Sequence, residues 1–205
     1  FFITSNITSL LTLLEEEDTK EGKEQLINHI RNVSDLLNET MVNLNDVVSI
    51  QKNVNLIVEP LPLREYVEKA MGVLSEQVTL KKAVIKNNVS KEIVVNYNPA
   101  YLESIVLNFI SNAIKYGQAG RPPLVLVDCF QEEDFTILQI KDNGLGIDMK
   151  KYGEKLFGMY KTFHGNKDAR GIGLFICKNQ IETMGGKIEV DSELGVGTTF
   201  KIYIK

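Results

Sequence analysis

The sequence predicts an α+β protein in two parts. A helical hairpin spans residues 1–54, and an α/β sandwich with helices on one face of a mostly antiparallel sheet spans 55–205. Three observations predict this. Residues 1–54 hold one glycine, Gly22, and no proline, and their apolar residues recur at helical spacing. From about Asn55 proline and glycine appear, and short β-rich runs alternate with helical ones. The last nineteen residues read as two strands joined by a glycine-bearing turn.

The elements follow in order. Ile3, Ile7, Leu10 and Leu14 mark the first helix; Leu26, Ile30, Val33, Leu37, Met41, Leu44 and Val48 mark the second, after the polar patch "EEEDTKEGKEQ". Two helices alone cannot enclose a core. A second copy packing its own hairpin on the stripe, giving a homodimeric four-helix bundle, is the economical solution; a hairpin packed on its own chain is the other. "NLIVEP" and "EIVVNYN" read as strands, and "PLREYVEKAMGVLSEQV" between them as one helix. In "NPAYLESIVLNFISNAIKYG", Asn98 can cap a helix, Pro99 suits its first position and Gly117 ends it. "PPLVLVDCF" and "FTILQIKDN" form a hairpin across "QEED"; "GIGLFICKNQIETMGG" is a helix closed by Gly185 and Gly186; "KIEVDSE" and "TTFKIYIK" close the fold.

The bulk properties narrow the function. The 205 residues are 43% hydrophobic and 24% charged, an ordinary globular balance with enough chain for a real core. The net charge of −4 and a pI near 5.4 give no basic footprint, so nucleic acid is a poor partner. Cys129 and Cys177 form no CxxC and fit reduced thiols in a cytoplasmic setting better than a disulfide scaffold. No apolar run reaches the ~20 residues of a membrane span. Phe1 opens the chain and no signal peptide follows, so it reads as a piece of a longer protein, with any membrane attachment in other parts.

Four stretches can carry chemistry. The helix at 99–116 is apolar nearly all round, yet Asn108, Asn112 and Lys115 share one stripe of it. They are either satisfied core amides plus a surface lysine, or a polar lining whose asparagine oxygens suit a hard cation such as Mg²⁺ with phosphate. In "KDNGLGID", Asp142 ends an apolar strand before Gly144 and Gly146. It is either a turn residue or a carboxylate on a pocket floor, able to accept from an exocyclic amine such as adenine's. "YGEKLFGMYKTFHGNKDARGIGL" is long and glycine-rich, with Lys161, Lys167 and Arg170, and with aromatic residues that argue against plain disorder; it fits a mobile lid with basic groups for phosphate. Gly171 and Gly173 open the next helix; they are either mere helix entry, the commoner case, or a place where bare backbone N–H groups attract anions.

Read in series, "NFISNAIKYG", "DNGLGI", "KLFGMYKTF" and "GIGLFICKNQIETMGGKIEVDSELGVGTTFKI" resemble the N, G1, F and G2 boxes of sensor histidine kinases. The catalytic domain of that family shares its superfamily with gyrase, the mismatch-repair ATPases and the ninety-kilodalton heat-shock chaperone. Residues 1–54 are similar to its dimerisation and phosphotransfer hairpin. The resemblance implies an ATP-dependent protein-histidine kinase core of a two-component system, homodimeric, using ATP and Mg²⁺, and passing phosphate to an aspartate on a response-regulator receiver domain. It further implies that Asn112 holds Mg²⁺ with Asn108 in support, and that Lys115 and Tyr116 lie by the phosphates. Asp142 would take the adenine amine between Gly144 and Gly146. Phe157 would anchor the lid, Lys161 would be its basic position, Gly171, Gly173 and Leu174 would flank the phosphates, and Thr199 would line the base. Ala169 stands where a longer glycine motif has its first glycine.

The larger departure is in the first helix. The family's phospho-accepting histidine sits in a pattern such as S-H-[EDN]-[LI]-R-x-P-L. Here "FFITSNITSLLTLLEEE" holds no histidine, arginine or proline, though its edges fit. The acceptor is expected between Ser5 and Asn6, with R-x-P-L between Ile7 and Thr8, as residues of the full protein that this chain lacks. His29 and His164 are the chain's histidines, read as rim and lid residues. The alternative is an ATP-sensing dimeric signalling module without kinase activity.

Overall fold

The computed structural model describes residues 10–14, 19, 21–30, 33, 56–153, 156–158 and 173–205. The chain divides into two compact units, Phe1–Lys52 and Asn53–Lys205. In the first, residues 10–14 and 21–30 are helical. Thr19 caps the second stretch: its hydroxyl accepts from the Gly22 amide at 3.1 Å, meeting one of the donors that every helix start leaves open. Leu10, Leu14, Leu26, Ile30 and Val33 of the apolar stripe are half-buried, while His29 is exposed. The remaining stripe residues, the expected acceptor position, Lys161 and Gly171 lie outside the described residues.

The second unit opens with strand β1 (Glu59–Pro62), then helices α1 (Leu63–Val73) and α2 (Ser75–Lys81), strands β2 (Val84–Asn87) and β3 (Val94–Tyr97), and helix α3 (Pro99–Lys115). Strands β4 (Leu124–Glu132) and β5 (Phe135–Asp142) follow, then short α4 (Met149–Tyr152), α5 (Gly173–Thr183), β6 (Lys187–Glu193) and β7 (Gly197–Ile204). Five strands form one sheet in the order β2-β4-β5-β7-β6, antiparallel except for the parallel pair β2–β4. β1 and β3 make a separate antiparallel ribbon. It tolerates Pro60 and Pro62 because a two-stranded ribbon has free edges where a missing N–H costs nothing.

The core lies between the sheet and α3. Leu102, Ile105, Val106, Phe109, Ile110 and Ile114 of α3 are buried with Val125, Val127, Ile140 and Ile202 of the strands. Phe109 packs on Phe200 of β7 with ring centroids 4.7 Å apart. Both ends of α3 are tied down. The Asn98 carboxamide oxygen accepts from the Tyr101 amide at 3.1 Å, and its nitrogen donates to the Ile57 carbonyl at 2.9 Å. At the other end the Lys81 ammonium donates to the carbonyls of Ile114 and Lys115 at 3.1 and 2.9 Å, which a helix C-terminus leaves open.

The expected single helix at 62–78 is two helices. The break falls at Leu74 (φ −89°, ψ 6°), which turns inward and is buried, just after Gly72 has weakened the helix. Strand β2 and helix α4 are additions to the sequence reading.

Replacing Asn98 with Ala removes both of its hydrogen bonds. It should lower unfolding stability by about 1 kcal/mol for the cap alone, with Asn98→Ser recovering part of the loss; thermal or urea unfolding of the two variants measures this.

Candidate functional site

Sheet order places the C-terminal ends of α3 and β5 beside the start of α5 and the β6–β7 turn. Along α3, Asn112 donates from its side-chain nitrogen to the Asn108 side-chain oxygen at 2.8 Å, so the amide pair is internally bonded and the Asn112 oxygen is not used in that bond. Gly173 begins α5 against this pair. A Cβ at 173 would overlap the Asn108 amide nitrogen, so a side chain there would displace the Asn108 carboxamide. Leu174 lies in the same first turn, half-buried. Lys115 and Tyr116 sit at the end of α3, with the ammonium 5.9 Å from the ring centroid.

The chain after β5 docks onto that end. The Leu145 amide donates to the Tyr116 carbonyl at 2.9 Å. Gly146 has φ +65°, and a side chain there would run into the Glu193 carbonyl oxygen of β6. Asp142 is pinned between two elements. Its Oδ1 accepts from the Gly144 amide at 2.7 Å and from the Thr198 amide at 3.1 Å, and neither bond uses Oδ2. Burial raises its pKa above the ordinary carboxylate value, against the opposing pull of the two amides and the Arg121 charge.

The register separates the two neighbouring threonines. Thr199 stands opposite Lys141, so strand alternation puts it on the other face of the sheet from Asp142. Thr198 is the buried residue beside Asp142, and its hydroxyl lies 2.9 Å from the Ser192 hydroxyl, which in turn donates to the Gly197 carbonyl and accepts from the Ile147 amide at 2.8 Å. The sequence reading passed over Thr198 and Ser192. The "GTTF" motif offers two threonines, and only pairing with β5 tells which faces inward. Phe157 is half-buried, with the Lys178 ammonium of α5 5.7 Å from its ring centroid.

Residues 97–205 match the family described as histidine kinase-, DNA gyrase B-, and HSP90-like ATPase. Among curated proteins, the sensor protein SrrB of Staphylococcus aureus strain N315 is 30% identical over 191 residues, covering 92% of this chain and 32% of the relative. The chain thus spans about a third of the length of the curated relatives it matches. Among solved structures, the histidine kinase AdeS of Acinetobacter baumannii superposes with a TM-score of 0.73 at 19% identity, covering 99% of this chain and 95% of that one. Full-length ShkA, solved in complex with AMPPNP, gives 0.72 at 23% identity, covering 99% and 44%. Among the described residues no helix is long and apolar enough to cross a membrane.

The raised pKa of Asp142 has a sign that can be measured. The folded chain holds this proton to higher pH than the unfolded chain does, so stability falls as pH rises from the ordinary value of 3.8 through the raised one. Asp142→Asn should remove that fall and leave the ligand-free chain more stable at neutral pH, as read from unfolding midpoints across the acid range.

Proposed function

The chain belongs to the histidine kinase-, DNA gyrase B-, and HSP90-like ATPase family; from this premise we propose that it is the core of a sensor histidine kinase, in which residues 55–205 bind ATP and deliver its γ-phosphoryl group to a first-helix histidine of the full protein, expected between Ser5 and Asn6. One observation carries the reading: a half-buried carboxylate whose Oδ1 is fixed by two backbone amides and whose Oδ2 those bonds leave unused. That arrangement suits a neutral, planar amine such as the exocyclic group of adenine, since a partly desolvated carboxylate takes a hydrogen-bond donor more strongly than one in water.

The roles follow from position. Asp142 receives the adenine amine, and Thr198, on the face of the sheet that Asp142 shares, takes the base-lining role in place of Thr199. Gly144 and Gly146 shape the backbone around the base. Lys115, Tyr116, Gly173 and Leu174 serve the triphosphate; Phe157 has the lid-anchoring role, and Gly171 and Lys161, which lie outside the described residues, keep the phosphate and basic lid roles that the resemblance implies. The Asn108–Asn112 pair fits Mg²⁺. The bond between the two amides uses the Asn112 nitrogen, and an amide oxygen is the hard donor that such an ion accepts beside phosphate oxygens. Asn112 would hold the ion and Asn108 would orient Asn112. When bound, Mg²⁺ supplies charge neutralisation on the phosphates.

In the transfer, a neutral imidazole nitrogen forms a bond to the γ-phosphorus as the bond to the bridging oxygen breaks, and ADP leaves. The protein's share is positioning and electrostatics. Phosphate then passes to an aspartate of a response-regulator receiver domain, and the hairpin pairs two copies of the chain. A second reading rests on the absence of a histidine at the expected place between Ser5 and Asn6. In it the same nucleotide site drives dimer conformation and no phosphoryl is transferred.

Incubation with γ-labelled ATP and Mg²⁺ separates the two. Acid-labile label on the full-length protein supports the kinase, nucleotide binding without label supports the sensing module, and no binding contradicts both. Asn112→Asp should abolish labelling of the full-length protein or nucleotide binding; unchanged behaviour would contradict the Mg²⁺ assignment.

A further inference from the structure

We propose that Arg121 is a positioning residue for the nucleotide site, acting as a clamp that holds the two loops from which Asp142 takes its hydrogen bonds. Its Nη2 donates to the Asn143 carbonyl and, at 3.0 Å, to the Val196 carbonyl, with the Gly144 and Gly195 carbonyls at 3.5 Å. Two of these oxygens belong to the loop after β5, and two to the β6–β7 turn. Among the described residues, its hydrogen bonds go to these four carbonyls and to no carboxylate. That sets Arg121 apart from Arg64 and Lys69, whose charges pair with glutamates. All four contacts come from one nitrogen, so its two hydrogens serve the Asn143 and Val196 carbonyls first, one on each loop, with the other two oxygens at the outer edge of its reach.

The clamp is itself held. Asn143 reaches back to the segment carrying Arg121: its Oδ1 accepts from the Leu124 amide at 2.8 Å and its Nδ2 donates to the Pro122 carbonyl at 3.2 Å. On the far side the Gly195 amide donates to the Leu145 carbonyl at 2.8 Å. The loop after β5 and the β6–β7 turn are therefore joined at both of their touching edges. Gly144 in one and Thr198 just beyond the other supply the amides on Asp142 Oδ1. Separating the loops would pull those two donors apart and release the carboxylate from its fixed orientation.

Charge adds to geometry. Around Asp142 the groups that favour its ionised form are the Gly144 amide of its own loop, the Thr198 amide of β7 and the Arg121 guanidinium from the segment before β4. Removing Arg121 thus loosens the acceptor and makes it easier to protonate, both of which weaken a ligand that donates to it. The role depends on the reading that Asp142 receives an adenine-type amine, and the test keeps the two apart.

ADP binding to the 205-residue chain is measured by titration calorimetry from pH 5 to pH 8 for the unchanged protein, Arg121→Ala and Arg121→Lys. Arg121→Ala should bind ADP about tenfold more weakly at neutral pH, the scale of a lost hydrogen bond to a charged group, and lose affinity at a higher pH than the unchanged chain does on acidification. Arg121→Lys, which keeps the charge but ends in a shorter, rotatable ammonium in place of the fixed Nη2, should restore the acid limb and only part of the affinity. If Arg121→Ala keeps both its affinity and its acid limb, even with a lower melting temperature, Arg121 is a turn staple only and the proposal is overturned. Should Arg121→Ala not fold, Arg121→Lys carries the comparison: weakened ADP binding supports the clamp, and full affinity overturns it. If the unchanged chain binds no ADP, the nucleotide reading fails first and the positioning role falls with it.

Discussion

A single half-buried carboxylate organises one end of this fold. Asp142 terminates β5 and ties that strand to the loop following it, through Gly144, and to β7, through Thr198. Burying a carboxylate is costly unless its oxygens find donors, and here the donors are backbone amides that cannot be mutated away. The segments that supply them must therefore converge, which explains why Gly146 sits at positive φ against the Glu193 carbonyl and why the Ser192–Thr198 hydroxyl pair closes the gap behind them. The protein holds a partly desolvated acceptor in place before any ligand arrives, so little ordering is left to be done on binding.

The second constraint is the buried helix α3, which acts as a rigid edge along which the other parts are set. Its apolar faces are fixed by the sheet and by the Phe109–Phe200 contact, and its ends by Asn98 and Lys81. The polar stripe of Asn108, Asn112 and Lys115 can then face in one direction only. Gly173 brings α5 against that stripe because it has no side chain to collide with Asn108. The glycine that suggested phosphate binding thus has a packing role, against the amide pair of α3.

Much of this was legible in the sequence, for local reasons. Helix α3 is announced by Asn98, Pro99 and Gly117, all within a turn of its ends, and β6 is bounded by Gly186 and the turn residues after Glu193. The closely spaced polar and glycine residues of the site were legible too: Asn108, Asn112, Asp142, Gly144, Gly146 and Gly173 fall within the contacting segments. What escaped depends on distant partners. Strand β2 is four residues long with exposed Val84, and it exists because β4 offers it a parallel edge. The choice of Thr198 over Thr199 rests on register with β5, where a shift of one residue changes the face. Arg121 finds carbonyls 22 and 75 positions away in sequence, and nothing in "GQAGRPP" points to them. Leu74 breaks a pattern that reads as one continuous helix, because burying that leucine outweighs the continuity of the helix.

The central claim is that these segments form one receptor for a magnesium-bound adenine nucleotide, with the base at Asp142 and the phosphates along the α3 stripe. A crystal structure of the chain grown with Mg²⁺ and a non-hydrolysable ATP analogue tests it most directly. The adenine amine should lie within hydrogen-bond distance of Asp142 Oδ2, and the Asn112 amide oxygen should lie in the coordination shell of the ion. A base seated away from Asp142, or phosphates away from α3, would contradict it.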